Sequence, residues 1–178
     1  MSRRMLTTGA AAALAGALAT VTVLSGTARA VPPESREITV NCLELNYGVT
    51  WFWNGNATMT SSDPGTPGKQ RLKVRFYGTN PVYIPMNTIT TTIRMTQGGW
   101  ASPPLEFTGK VNAPGPDQVF GPLPAPSRLP AGTSLMLTAT AGTPTATNWS
   151  LRMLTTLGGV AQDIACTGYQ PNGPAFTF

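Results

Sequence analysis

Apolar and polar residues alternate with a period of two along most of the chain, and Gly, Pro and Asn break the alternation at intervals. Successive side chains of a strand point to opposite faces, so the pattern predicts strands with one apolar and one wet face. Ile38, Val40 and Cys42 alternate with Glu37, Thr39 and Asn41. Leu72, Val74 and Phe76 alternate with Arg71, Lys73 and Arg75. Ile89, Ile93 and Met95 alternate with Thr88, Thr90, Thr92 and Arg94. Trp149, Leu151 and Met153 alternate with Ser150 and Arg152, and Ile164 and Cys166 with Asp163. Further strands are expected near 49–60, 104–110 and 133–141. No stretch sustains the 3.6-residue period of an amphipathic helix, and no long repeat is visible. The predicted fold is all-β, an antiparallel immunoglobulin-like sandwich of about eight strands, with a barrel as the alternative.

A tight turn supplies an independent check on the register. Gly158-Gly159 is a two-residue hairpin signal between two alternating runs. It sets Leu157 opposite Val160, Met153 opposite Ile164 and Leu151 opposite Cys166. Alternation alone had placed Met153, Ile164, Leu151 and Cys166 on the inner face, so the two rules agree.

Residues 1–30 have another character. Arg3 and Arg4 precede a mildly apolar run from Leu6 to Gly26, and Ala28-Arg29-Ala30 forms a small-x-small site. These are the parts of a cleaved export signal, with the mature chain expected to begin at Val31. Ser2-Arg3-Arg4-Met5-Leu6 resembles a twin-arginine export signal; a general secretory signal with two arginines is the alternative. The Thr and Gly content makes the segment a poor permanent anchor, so no stable membrane span is expected after cleavage. Residues 31–178 are expected to form a single domain, large enough to hold a core.

The leader also changes the charge. The whole chain carries 12 basic and 7 acidic residues, a net of +5. Losing Arg3, Arg4 and Arg29 leaves nine basic residues against seven acidic ones, a net of +2. General attraction to nucleic acid is not supported by that balance.

Cys42 and Cys166 are the two cysteines, each on the apolar face of its strand, 124 positions apart. In an exported chain they predict one buried disulfide joining the first strand to the last. Trp53 follows Cys42 by eleven residues, which resembles the Cys…Trp…Cys pattern of immunoglobulin domains. The cysteine spacing exceeds that pattern, and Ile164 stands where a tyrosine corner would have Tyr. The layout of leader, early Cys strand, Pro130-Ala131-Gly132-Thr133, Leu135-x-Leu137-Thr138-Ala139-Thr140 and late Cys strand is similar to that of uncharacterised actinobacterial secreted proteins. That resemblance implies a secreted β-sandwich and no known activity.

Histidine is absent, which removes Ser-His-Asp and Cys-His catalysis and the commonest zinc ligand. The seven acids are Glu34, Glu37, Glu44, Asp63, Glu106, Asp117 and Asp163, and no two form a local catalytic motif. Glu37, Glu44 and Asp163 would approach one another if the terminal strands pair; outward, solvated positions are the expectation for them. Calcium-loop, phosphate-loop and nucleophile-elbow motifs are missing, so no metal or cofactor is expected.

Two surfaces remain. Lys69, Arg71, Lys73 and Arg75 occupy every second position of one strand, and Arg94 and Arg152 point outward in the same register. If these strands neighbour one another, they make a threonine-lined basic face suited to anionic polymers; a strand charged against aggregation is the structural alternative. Trp51, Trp53 and Trp100 are the candidates for stacking on sugar rings, with core packing as the alternative. Residues 111–132 read as a Pro-rich loop, either binding or covering the sheet. The residues therefore point to a secreted, non-catalytic protein of the bacterial cell envelope or extracellular space. It would act structurally or by surface binding, with a cell-wall polymer, glycan or another secreted protein as partner. A carbohydrate-binding module and a carboxylate-based hydrolase are the alternatives.

Overall fold

The computed structural model describes residues 29–50, 54–77, 84–97, 103–113, 115–171 and 174–178. Among them there is no helix. Twelve strands form a single antiparallel hydrogen-bonded sheet. The first four are β1 (Ser35–Glu44), β2 (Val49–Thr50), β3 (Gly55–Ser62) and β4 (Arg71–Phe76). The middle four are β5 (Thr90–Gln97), β6 (Leu105–Gly109), β7 (Asn112–Ala113) and β8 (Gln118–Pro124). The last are β9 (Ser134–Leu137), β10 (Leu151–Leu157), β11 (Val160–Tyr169) and β12 (Phe176–Thr177).

The main path runs β12-β9-β5-β10-β11-β1-β3-β4-β8-β7, with β2 beside β1 and β6 beside β5. The segment 105–113 ties distant parts of this path together. Its first half, β6, pairs with β5, and its second half, β7, pairs with β8. The sheet therefore curls, and its inner face closes on itself. Phe76 meets Phe120 edge-on at 5.8 Å, and Phe107 meets Phe178 at 5.7 Å. Each such fully buried aromatic contributes about 1.5–3 kcal/mol by leaving water.

Alternation placed most inner faces correctly. Ile38, Val40, Cys42, Leu72, Val74, Phe76, Ile89, Ile93, Met95, Leu151, Met153, Ile164 and Cys166 are all buried. The Gly158-Gly159 hairpin has the expected register, with Leu157 opposite Val160, Met153 opposite Ile164 and Leu151 opposite Cys166. β1 and β11 are neighbours, Cys42 lies directly opposite Cys166, and the two are bonded. The bridge joins adjacent strands of one sheet, whereas an immunoglobulin domain bridges its two sheets. β11 is the last long strand rather than the last strand, because β12 follows it.

Two expectations need correction. The first is that residues 111–132 are a connection free of interior pairing. β8 runs through this stretch and pairs with β4 from Gln118 to Pro124. Its other side pairs at Val119 and Phe120 with β7, and Gly121 N donates to Val111 O just beyond. Pro122 and Pro124 thus sit where β8 is an edge, and their missing N–H groups leave no ladder bond unmade. The register slips between Leu72 and Val74, so β8 carries a bulge at Gly121. Gly121 has φ +108°, and a Cβ there would lie 2.6 Å from the Leu72 carbonyl oxygen. Only glycine fits.

The second correction concerns Trp149. It is buried, but it lies outside the main core cluster. Its ring packs on the outer side, under the Arg94 guanidinium, whose carbon lies 3.4 Å from the ring centroid.

Candidate functional site

Four strands share one outer face. Along it, the registers align Tyr169 with Thr39 and Asn56, and Thr167 with Asn41. Farther along, Glu37 aligns with Thr58 and Arg75, and Ser35 with Thr60 and Lys73. Hydroxyl and amide groups bridge these strands. Thr39 Oγ1 donates to Asn56 Oδ1 at 3.2 Å, and the Ser35 and Thr60 hydroxyls lie 3.0 Å apart. The face is thus polar and continuous from β11 to β4.

The chain from Thr138 to Asn148 crosses back over this face. Thr140 N donates to Gly168 O at 2.9 Å, and Thr167 Oγ1 donates to Gly142 O at 3.0 Å. Ser150 anchors the crossing from below. Its hydroxyl is buried, donates to Thr138 O at 2.6 Å and meets Thr140 Oγ1 at 2.5 Å. Gly168 instead lets β11 lie close against β1, since a Cβ there would stand 2.7 Å from Thr39 O.

Between crossing and sheet lies an open groove of about 460 Å³. Thr39, Asn41, Thr140, Thr143, Thr167 and Tyr169 supply its side-chain polar groups, and no lining residue is charged. Tyr169 is 50% exposed at the rim. The Asn41 amide, the Thr143 hydroxyl and the Tyr169 hydroxyl have no hydrogen-bond partner among the described residues. The groove therefore offers donors, acceptors and a ring face, but no formal charge.

The six outward cations do not make one face. β4 is separated from β10 by β3, β1 and β11, so Arg94 and Arg152 lie apart from the Lys69–Arg75 row. Arg94 Nε donates to Glu106 Oε1 at 3.0 Å. Arg152 grips Asp163 with two bonds of 2.8 and 2.6 Å. Hydrogen bonding to Asp163 holds the Arg152 guanidinium above its usual pKa. Arg75 is paired with Asp117 and lies 5.0 Å from the Tyr77 ring centroid. Arg71 Nη1 donates to the carbonyls of Gly68 and Gln70. Lys69 and Lys73 are exposed and have no acidic partner within salt-bridge distance among the described residues. Of the cationic row, then, Lys69, Arg71 and Lys73 carry charge that no protein carboxylate offsets.

Pairing of the terminal strands does bring Glu44 and Asp163 together, but not as solvated groups. Glu44 is 1% exposed, and it accepts the N–H groups of Tyr47 at 2.7 Å and Asp163 at 3.0 Å. That geometry pins the β1–β2 turn to β11. Glu37 lies elsewhere on β1, opposite Thr58. Among the described residues no cluster of three or more His, Cys, Asp or Glu side chains is placed to hold a metal ion. Trp51, Trp53 and Trp100 lie outside the described residues. No helix of the described residues is long and apolar enough to cross a membrane.

Sequence reasoning missed the groove because its lining comes from three separate segments, 39–41, 140–143 and 167–169, that only the fold brings together. The available signal was the polar Thr138-x-Thr140 pair leading to Gly142, a poor continuation for a strand. Comparison with protein-family models, curated proteins and solved structures found no match.

Proposed function

We propose that this is an exported, non-catalytic binding protein of the cell envelope or extracellular space. It takes a short stretch of polyhydroxylated ligand, a glycan, in the groove beside Tyr169. The observation that carries this reading is the lining, which is uncharged, rich in hydroxyl and amide groups, and edged by an exposed ring. Sugar hydroxyls match the Asn41 amide and the Thr39 and Thr143 hydroxyls. The apolar face of a pyranose matches the Tyr169 ring. The disulfide suits an oxidising compartment, in keeping with the leader at residues 1–30. The curled sheet that carries the groove is best read as a sandwich in the broad sense, with two layers of strands around one core.

A second reading draws on Lys69, Arg71 and Lys73. They lie on the same outer face and would meet an anionic wall polymer with the hydroxyls of Thr58 and Thr60 beside them. A hydrolase draws little support, because Glu44 and Asp163 are engaged in fixing the turn and in pairing with Arg152.

The two binding readings separate by salt. Purified residues 31–178 are incubated with insoluble cell-wall and plant polysaccharides at low and high ionic strength. The groove predicts retention that survives high salt and falls in Tyr169→Ala. Retention that disappears at high salt and in Lys73→Gln transfers the function to the cationic row. No retention under either condition removes both glycan and wall-polymer readings for those materials.

A further inference from the structure

We infer that the cavity at Asp63 is a receptor for an α-ammonium group, that of the chain's own residue 31 once the leader is cut at Ala30. The inference rests on cleavage at that bond and is independent of the groove.

Val31 makes an isolated antiparallel bridge with Asp63, its N–H donating to Asp63 O at 3.0 Å. Beside this bond is a small cavity of about 70 Å³ lined in part by Arg29, Val31, Asp63, Gln70, Arg128 and Phe178. Asp63 is only 8% exposed. Its Oδ1 accepts Gly65 N at 2.9 Å, and its Oδ2 has one long contact, 3.5 Å from Gln70 Nε2. Gln70 is 4% exposed, and its Oε1 is buried with no hydrogen-bond partner among the described residues. Buried polar atoms are almost always satisfied, so a carboxylate oxygen and an amide oxygen short of donors need a reason.

The uncleaved Val31 amide cannot supply those donors, because it has one N–H and spends it on Asp63 O. Hydrolysis of the Ala30–Val31 bond consumes one water. The new carboxylate stays on Ala30 and leaves with the leader, and Val31 gains a protonated amine. That amine has three N–H donors. One keeps the Asp63 carbonyl, and two are left for the Asp63 carboxylate and Gln70 Oε1 in the same cavity. Cleavage also removes Arg29, so the new ammonium replaces a cation that lined the cavity. The charged side chains lining it are then Asp63 and Arg128. Charge-assisted bonds in a mostly buried site are stronger than the amide bond they extend.

The pH sign follows from linkage. A free α-amino group titrates at about 7.7–8.0, and the carboxylate raises that value in the folded chain. The stabilisation is fully present below about 7.7 and is lost as pH rises through the raised value.

The test uses the exported protein, whose start is read by intact mass, beside a form that retains Ala28–Ala30. At pH 6 the mature form should melt about 2–4 °C higher. The gap should close as pH rises past 9, and Asp63→Asn should abolish it. Acylation of the Val31 amine at neutral pH should run about tenfold slower than that of a free peptide amine. This rate does not require an Asp63 variant that folds. Equal melting of the two forms at pH 6, a gap that ignores pH, or ordinary amine reactivity would overturn the inference, as would a mature chain that starts elsewhere.

Discussion

Two sets of outward cations look alike in the sequence and end in opposite circumstances. Arg94 and Arg152 alternate with apolar residues on β5 and β10, as Arg71 and Lys73 do on β4. In the fold, Arg94 and Arg152 flank Trp149 and hold Glu106 and Asp163. They close the outer surface over a tryptophan that is only 5% exposed. On β4 no acidic side chain offsets Arg71 or Lys73, and their cross-strand neighbours are Ser62 and Thr60. Alternation therefore tells which face a cation takes. What it meets there depends on strands distant in sequence. The first set is part of the structure, whereas the second set, like the groove elsewhere on the same outer face, is open to a ligand.

The comparison can be broken from underneath. The disulfide lies beneath the outer face, with Cys166 pairing with both Cys42 and Leu151. Replacing both cysteines with Ala should destabilise the protein by as much as about 4–5 kcal/mol, since the closed loop is long. Chemical denaturation under oxidising conditions measures it, and both regions should loosen together. Trp149→Ala comes next, at about 3 kcal/mol. It should disturb the Arg94 side while leaving ligand retention intact at temperatures where the variant is folded. Arg152→Gln should cost about 1–2 kcal/mol, a charged hydrogen-bond value discounted for partial exposure. Because Asp163 raises the Arg152 pKa, that contribution is complete at neutral pH and is lost only in strong alkali. The stability difference between wild type and Arg152→Gln should therefore stay constant from pH 7 to about pH 10.

The sequence makes the frame of this contrast legible but not the partners that decide it, and the reasons are physical. Period two placed Ile38, Val40, Leu72, Val74 and Met153 inside because each strand has one buried face. The Gly158-Gly159 turn set its register because a two-residue loop leaves no slack. The disulfide partners were legible because there are two cysteines in a chain expected to be exported. The pairing of β8 was hidden by its prolines, which are tolerated only because one side of the strand is an edge at that point. The burial of Glu44 was hidden because its partners are main-chain N–H groups, which leave no mark in the sequence. The carboxylate partners of Arg75 and Arg94 could not be read either, because each pair joins elements whose register the sequence does not set.

The smaller effects sharpen the comparison on the open side. Tyr169→Ala should change stability by less than about 1 kcal/mol, since the ring is half exposed, but should weaken glycan retention about tenfold. Lys73→Gln should change stability by no more than about 0.5 kcal/mol and leave salt-resistant retention unchanged. A melting curve and a depletion isotherm on each variant check both statements.

The most direct test of the central claim is an amide map. ¹⁵N-labelled residues 31–178 are titrated with a soluble oligosaccharide of whichever polysaccharide retains the protein at high salt. Shifts that cluster at Thr39, Asn41, Gly142, Thr143 and Tyr169, and that vanish in Tyr169→Ala, are the predicted result. Shifts centred on Lys69 to Lys73, or confined to residues away from the crossing segment, would contradict the assignment of the groove as the binding site.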